Sequence, residues 1–354
     1  MNTLKDRAWL GLDARVAEES WAQTCAGLGA VAWAAIAVLA RVGMAPMGAI
    51  ELIFLFAPLV IVPLGMELGR VMGAAGRMGK AAQRLQPVAA GLAVFALWLP
   101  PGRLAGVLAG GWMLVCGLMG FSGVVTYFSA RTSDPAPASE ILTSGNLGQK
   151  WGSPFRDGLR FSIFRFALAI AKIDLAVGGG WFVASRLGMR PMGIQEPIGL
   201  LTAVHFHFAG FATAMIAVAA LRFSEQRAHS RWLAWIVSLV VIMPFVVAAG
   251  FVTSSLLKTL AGVLFSVSVA VLAIYVRSWG RQAENAAARI LLQVAPACVF
   301  AGMVLSAAYA IADFRGSDVL PIPQMARTHG VLNAVGFCMC GLLGSLIQLN
   351  STPQ

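Results

Sequence analysis

Long apolar runs, separated by short charged or Pro- and Gly-rich segments, dominate the chain from end to end. Most runs approach the length of about 20 residues that a helix needs to cross a bilayer. They do not alternate between apolar and polar residues over about ten positions, as membrane barrel strands do. The pattern predicts an all-α, polytopic transmembrane bundle of about ten spans, at residues 24–41, 46–68, 86–101, 104–128, 162–185, 197–221, 232–252, 257–276, 289–312 and 329–348.

Two of the predicted spans are atypical. The third, at 86–101, is short, and the fifth contains Arg165, Lys172 and Asp174. A charged side chain inside a bilayer costs a few kcal/mol even on mild insertion scales. Two interpretations of the fifth span therefore stay open. Either Lys172 and Asp174 lie near mid-membrane, or residues 155–174 form an interfacial helix and both charges lie at the cytoplasmic surface.

The composition agrees with a membrane location. Hydrophobic residues make up 58% of the chain and charged residues 12%, about half of the usual share in a soluble domain. These values exclude a soluble enzyme and a disordered protein. The five cysteines lie in or beside apolar runs and form no C-x-x-C pair, which excludes a disulfide scaffold. We attribute the net charge of +11 to basic loops, and we expect no nucleic-acid partner.

The basic residues also predict the orientation of the bundle. They are concentrated in every second connection between spans, whereas the other connections carry one or two each. Because Lys and Arg accumulate in cytoplasmic loops, the basic connections and both termini are predicted to be cytoplasmic. The expected environment is the lipid bilayer of a bacterial plasma membrane, and the sequence indicates no particular protein partner.

The predicted organisation is a charged segment, two groups of spans and one long loop. Residues 1–23 mix both charges with apolar residues at helical spacing, which indicates a cytoplasmic helix on the membrane surface. Spans one to four (24–128) and spans five to ten (162–348) are joined by a polar cytoplasmic loop at 129–161, and residues 349–354 form a tail.

Rare polar residues inside the spans are the candidates for chemistry. His205 and His207 lie in the sixth span, His329 opens the tenth span, and the fourth histidine, His229, lies in a basic connection. With the predicted orientation and a rise of about 1.5 Å per residue, His205 and His207 lie roughly 12–15 Å below the outer end of their span. His329 lies in the outer turns of its own span, so these three histidines share one level.

The same level holds a carboxylate and an amide. Glu51 lies roughly 8 Å below the outer end of the second span, and Asn333 follows His329 by one helical turn. Two histidines and a carboxylate are typical of non-haem iron or zinc, copper also takes imidazole ligands, and histidines from two helices are typical of haem. The candidate ligands are His205, His207, His329 and Glu51, and the groups expected to orient them are Asn333, Thr202 and Tyr309.

Several functions remain compatible with these residues. His205 and His207 point about 200° apart on an α-helix, so both bind one metal only if the helix is distorted. The first interpretation is a metal or haem site for redox chemistry or sensing. The second is a transporter or proton-coupled permease with a path through Glu51, Lys172 and Asp174. The third is a non-catalytic membrane assembly factor with interhelical hydrogen bonds. No motif assigns an enzymatic reaction.

Three stretches resemble a known family: IELIFLFAPLVIVPLGMEL at 50–68, LTAVHFHFAGF at 201–211 and RTHGVLNAVGF at 327–337. They are similar to the YndJ-like family of bacterial integral membrane proteins, and the likeness extends over about residues 45–345. The resemblance implies a membrane location and a set of signature residues, and it implies no particular reaction. Those signature residues are Glu51, Pro58, Pro63, His205, His207, Gly210, His329, Gly330, Asn333 and Gly336.

Overall fold

The computed structural model describes residues 3–73, 76–132, 158–224, 230–317 and 320–351, with the backbone alone for 3–20, 129–132, 158–160 and 230. Within these ranges the chain forms ten long helices, one short 3-10 helix at Pro191–Gly193 and no strand, which confirms the predicted all-α class. In chain order the helices are α1 (Thr3–Arg41), α2 (Ala49–Val71), α3 (Arg77–Trp98), α4 (Arg103–Thr132), α5 (Gly158–Arg186), α6 (Ile198–Phe223), α7 (Ser230–Thr253), α8 (Ser255–Gly280), α9 (Ala286–Phe314) and α10 (Ile322–Ser351).

Each helix corresponds to one predicted span. Nine of the helices in the described ranges are long and apolar enough to cross a bilayer, which confirms a polytopic membrane bundle. The exception is α3, whose 22 residues begin with the basic stretch that contains Arg77, Lys80 and Arg84. The prediction placed its start at residue 86, which was too late. The helix includes these basic positions because long cationic side chains can keep their charge at the bilayer surface while their stems stay apolar.

The fifth span begins well before its two central charges. α5 starts at Gly158, and the side chains of Lys172 and Asp174 are 3% and 0% exposed. Both lie inside the bundle in the middle of a continuous helix, rather than at its surface. The alternative of an interfacial helix at 155–174 therefore does not describe this part of the chain.

The outermost parts of the predicted organisation are only partly covered. α1 is one helix from Thr3 to Arg41, and it includes both the predicted surface helix and the first span. The central part of the predicted cytoplasmic loop, residues 133–157, and His229 lie outside the described residues. The division of the chain into these segments and its orientation remain predictions. We call the end at which α2, α6 and α10 begin the outer end, following that orientation.

α2 and α6 are the most deeply buried of the candidate spans. Both are apolar around their whole circumference, and such helices occupy the interior of a bundle rather than its surface. Each contains a π-helical segment in its middle, at Ala57–Ile61 in α2 and at Phe206–Ala212 in α6. α10 has two such segments, at Ala326–Gly330 and Leu332–Met339. The segments of α2 and α6 and the second one of α10 contact one another pairwise in the bundle.

The prolines of α2 explain its π-helical segment. Pro63 has no N–H, so carbonyl groups in the preceding turn lack their usual donor. Gln86 of α3 donates its side-chain N–H to the Pro58 carbonyl oxygen at 2.6 Å. Gly29 of α1 lies directly against the Leu59 carbonyl oxygen, where any side chain would clash. Neighbouring helices thus cover the backbone groups that the prolines leave without a partner, as membrane burial requires.

Candidate functional site

His207 is fully buried, and both of its ring nitrogens have partners. Nδ1 lies 2.7 Å from the Ala203 carbonyl oxygen, which can only accept, so the ring proton is on Nδ1. Nε2 then accepts a hydrogen bond from the Trp112 indole N–H at 3.0 Å. The two rings lie nearly parallel, with centroids 6.0 Å apart. His207 therefore joins α6 to α4 and has no free lone pair for a metal ion.

A glycine of α5 makes room for this ring. A Cβ atom at Gly178 would lie 2.6 Å from Nδ1 of His207. Phe54 of α2 packs edge-on against the same ring, with centroids 5.2 Å apart. Four helices thus enclose His207, and aromatic and backbone groups make up the surroundings.

His205 has a different environment, although it is only two residues away. Its Nδ1–H donates to the Leu201 carbonyl oxygen of its own helix at 2.7 Å, and its side chain is exposed. A neutral imidazole carries one proton, so its Nε2 has a free lone pair. The π-helical segment of α6 does not bring the two rings together. The ring of His207 contacts Trp112 and Phe54, whereas the ring of His205 is exposed. The expectation that His205 and His207 point apart thus agrees with their separate partners.

His329 of α10 is linked to α9. Its Nδ1 lies 2.8 Å from the Gly302 carbonyl oxygen, and Asn333 donates its side-chain N–H to the His329 carbonyl oxygen at 2.7 Å. The Asn333 amide nitrogen also lies 3.1 Å from Nδ1. Because the Gly302 carbonyl accepts, Nδ1 carries the proton and Nε2 keeps a free lone pair.

Glu51 is engaged at the start of its own helix. One of its carboxylate oxygens accepts from the Gly48 backbone N–H at 3.0 Å, which closes the first turn of α2. The same carboxylate and that of Glu196 have favourable electrostatic interactions with Arg186, which is buried at the end of α5. Glu51 therefore interacts with groups at the outer ends of the helices and has no recorded contact with the histidines of the described ranges.

The two remaining supporting residues lie close to this level. Thr202 donates its hydroxyl proton to the Ile198 carbonyl oxygen at 2.8 Å, one turn above His205 on the same face of α6. Tyr309 lies half-buried in the last part of α9. The recorded hydrogen bond of Thr202 therefore goes to the backbone of its own helix and not to a histidine.

The four candidate ligands do not converge on one point. Within the described residues, no three side chains of His, Cys, Asp or Glu are grouped so that they could hold a metal ion. His207 is directed towards α4, and Glu51 caps α2. A centre that joins both histidines of α6 to His329 is therefore not assembled in these ranges.

Asp174 has no hydrogen-bond partner in the described part of the chain. Both carboxyl oxygens are buried, and neither meets a donor or acceptor. The side chain packs against Gly210 in the π-helical segment of α6, where a Cβ atom would lie 2.7 Å from the carboxyl carbon. The absence of a side chain at position 210 creates the space for the carboxyl group.

Lys172 is directed to another side of α5. Its ammonium nitrogen lies 3.4 Å from the Ser122 hydroxyl of α4. It also lines a cavity of about 20 Å³ towards the inner half of the bundle, together with Arg70 and Gln83. Arg70 in turn holds Glu67, with 2.9 Å between guanidinium nitrogen and carboxylate oxygen. A cavity of this size holds about one water molecule.

Sequence reasoning did not identify several partners of these groups. Trp112 is one of ten tryptophans and carries no local signal, and Gln86 lies at the predicted start of the third span, directly after basic residues. The role of Gly178 depends on a ring from another helix. The facing pair of Asp174 and Gly210 was also not predicted, although the family resemblance already marked Gly210. No spacing rule connects helices that are this far apart in sequence.

Comparisons with known proteins agree with this architecture. The family model for "YndJ-like protein" matches residues 52–337. A curated relative, "Uncharacterized membrane protein YndJ" of Bacillus subtilis (strain 168), is 30% identical over 179 residues, which is 50% of this chain and 32% of the relative. The match therefore covers about a third of that relative's length, and no solved structure matches the chain significantly. The protein is a multi-pass membrane protein, and it belongs to the YndJ-like family.

Proposed function

We propose that this protein is a proton-coupled carrier of the bacterial plasma membrane, in which the carboxyl group of Asp174 binds and releases the proton. The observation that carries the proposal is the complete burial of this group without a hydrogen-bond partner in the described part of the chain. A lone carboxylate is strongly disfavoured in apolar surroundings, so the neutral acid is the resting form. The unmet hydrogen bonds of the neutral acid still cost about 1–3 kcal/mol of stability. A residue with a purely structural role brings no benefit that offsets this cost.

The depth of Asp174 supports this role. It lies twelve residues before Arg186 at the outer end of α5, which corresponds to roughly 18 Å. Because the hydrocarbon core is about 30 Å thick, the carboxyl group is near the middle of the membrane. Acidic residues at this depth are typical of proton-dependent pumps and transporters. The water-sized cavity beside Lys172 provides polar space on the inner side of the same helix.

The wide turn of α6 supports a conformational change at this position. Conversion of the π-helical segment Phe206–Ala212 to regular α-helix would rotate the following residues by about 100°. Such a rotation would move Gly210 relative to Asp174 and change the surroundings of the carboxyl group. Protonation and helix geometry would then depend on each other, which is the coupling that a carrier needs.

The other interpretations have less support from the geometry. A redox or sensing centre that uses His207 requires a free nitrogen on this ring, and both nitrogens have hydrogen-bond partners. An assembly factor would explain the bond between Trp112 and His207. It would not explain why Asp174 lies in an apolar contact without a partner.

Two measurements on the purified protein test the proposal. Infrared spectroscopy at neutral pH is expected to show the C=O stretching band of a protonated carboxylic acid, and Asp174→Asn is expected to remove it. The matched control is Glu67→Gln, because Glu67 is also buried but is paired with Arg70. This variant should leave the band unchanged. A wild-type spectrum without the band, or a band that persists in Asp174→Asn, would contradict the proposal.

The second measurement follows protons directly. The protein is reconstituted into vesicles of phosphatidylethanolamine and phosphatidylglycerol that enclose a pH-sensitive dye, and a membrane potential is applied. Wild type and Glu67→Gln should acidify the vesicle interior faster than empty vesicles, and Asp174→Asn should not. Equal rates for wild type and Asp174→Asn would show that the carboxyl group carries no protons.

A further inference from the structure

The cavity in the inner half of the bundle has a positively charged lining. Its volume of about 20 Å³ corresponds to one water molecule or one monatomic ion of similar size. Of the nine residues that line it, Arg70 and Lys172 are cations, Gln83 carries an amide, and the other six are glycine or methionine. No carboxylate belongs to this lining in the described part of the chain. The cavity is therefore suited to an anion rather than to a cation.

Lys172 places a buried charge at the wall of the cavity. Its side chain is only 3% exposed, and Gly123 of α4 leaves room for it, since a Cβ atom there would lie 3.0 Å from Lys172 Cβ. The ammonium group donates to the Ser122 hydroxyl at 3.4 Å. This hydroxyl is neutral, so the contact does not cancel the attraction of Lys172 for a negative ion. Ionisable side chains inside membrane bundles are typical of ion and substrate pathways.

Arg70 and Gln83 add hydrogen-bond donors to the same wall. Glu67 holds the guanidinium group of Arg70, with 2.9 Å between Nε and a carboxylate oxygen, and so fixes its position. Glu67 itself does not line the cavity. A guanidinium group and an amide both present N–H groups, which suit an anion.

The cavity adjoins helix ends rather than a lipid-facing surface. Arg70 lies in the last turn of α2 and Gly79 lies in the first turn of α3, within the predicted connection between the second and third spans. The N-cap of α3 is Gly76, which has no side chain to bond the first N–H groups, so this end adds positive potential. The exposed side chains of Arg77 and Lys80 follow on the same helix. Such a basic surface raises the local concentration of anions.

We infer that this cavity is a binding site for a small monovalent anion of the halide class, with chloride as its ligand. Lys172 supplies the charge, and Arg70 and Gln83 supply N–H donors around the ion. Polyatomic anions such as sulfate are too large for a space that holds about one water molecule. The site does not rest on the proposed function, because Asp174 packs against Gly210 and does not line the cavity. The two proposals can therefore fail separately.

The first test is a calorimetric titration of chloride into the purified full chain, with sodium gluconate keeping the ionic strength constant. We expect about one chloride per chain, because the cavity has room for one such ion. Bromide should compete with chloride, and sulfate should not. Lys172→Met removes the ammonium group at similar side-chain length and should weaken binding at least about tenfold. The matched control is Lys80→Met, at an exposed lysine outside the cavity, which should change the affinity by no more than about twofold.

A second variant keeps every charge and changes only the space. A Cβ atom at Gly79 would lie 3.7 Å from Ser122 Oγ, so Gly79→Ala adds a methyl group beside the cavity without a clash. Alanine is also more favourable than glycine within a helix. We expect this variant to be at least as stable as the wild type and to bind chloride more weakly.

The outcomes separate the anion site from the proton carrier. Absence of saturable chloride binding by the wild type would overturn the site, and so would equal affinities in the wild type, Lys172→Met and Gly79→Ala. If Lys172→Met does not fold, Gly79→Ala decides alone. Sulfate binding as tight as chloride binding would also contradict a cavity of this size. The infrared band of Asp174 tests the proposed function and does not depend on any of these results.

Discussion

Trp112 donates its indole N–H to Nε2 of His207 at 3.0 Å, and both side chains are fully buried. This bond joins α4 to α6, which are 95 residues apart at these positions. Its consequence is chemical as well as structural, because it occupies the lone pair that His207 would need to bind a metal. The three histidines that share one depth thus have different surroundings.

The first prediction concerns this bond. Trp112→Phe leaves Nε2 of His207 buried without a donor, and an unsatisfied buried acceptor costs about 1–3 kcal/mol. We expect a lower thermal unfolding midpoint in detergent, measured by the fluorescence of a thiol-reactive or hydrophobic dye. The matched control is Trp232→Phe, because Trp232 is 69% exposed and should tolerate the change. Equal midpoints for the two variants would argue against the hydrogen bond.

A second prediction concerns Gly210. A Cβ atom at this position would lie 2.7 Å from the carboxyl carbon of Asp174, so Gly210→Ala overpacks the contact and should destabilise the protein by about 1–3 kcal/mol. Gly180→Ala is the control, because no atom lies within 4 Å of the added methyl group in α5. Combining Gly210→Ala with Asp174→Ala should restore much of the lost stability. Strictly additive effects would show that the two residues do not touch.

Substitution of Asp174 should affect stability and proton uptake in opposite ways. Replacement of a buried, unpartnered polar group by an apolar side chain of similar size is neutral or stabilising. We therefore expect Asp174→Leu to unfold at the same temperature as the wild type or at a higher one, and to lose proton uptake in vesicles. Marked destabilisation would mean that the carboxyl group has a stabilising partner.

The prolines of α2 lead to a fourth prediction. Gln86→Leu leaves the Pro58 carbonyl without its donor and should cost about 1–3 kcal/mol of stability. Pro63→Ala returns a backbone N–H to this turn, so the loss from Gln86→Leu should be smaller in a Pro63→Ala background. Gln324→Leu, at an exposed position, serves as the control. An equal loss in both backgrounds would separate Gln86 from the proline effect.

The predicted orientation can be tested with single cysteines in a cysteine-free chain. Ser317 lies in the exposed connection between α9 and α10, and Glu284 lies in the exposed connection between α8 and α9. A membrane-impermeant maleimide added to intact cells should label Ser317→Cys, and it should label Glu284→Cys only after the membrane is permeabilised. The reverse pattern would invert the bundle and place His205 and His329 on the cytoplasmic side.

Much of the fold was predictable because it depends on local properties. The length of each apolar run determines whether a helix can cross the bilayer, and ten runs correspond to ten helices in the described ranges. The short third span was the weakest prediction, since the basic residues of α3 break the apolar pattern although they are helical. For the fifth span, the apolar pattern alone left two interpretations, and only burial of Lys172 and Asp174 separates them.

The candidate site was predictable to a smaller extent. Depth can be counted along a helix, so the common level of His205 and His329 was within reach of the sequence. The partner of each ring nitrogen was not, because Gly302 and Trp112 belong to helices that are distant in the chain. The family resemblance marked Gly210, but it did not indicate that Asp174 lies against it.

The sequence by itself determined a helical membrane protein with few polar residues inside its spans, because hydropathy and helical rise are properties of each segment alone. Only the tertiary structure decided that His207 is saturated, that His205 and His329 keep free nitrogens, and that Asp174 has no partner in the described part of the chain. The physical reason is that helix rotation and packing select the atoms that meet. Many arrangements satisfy the same hydropathy, and only some of them satisfy the buried hydrogen bonds.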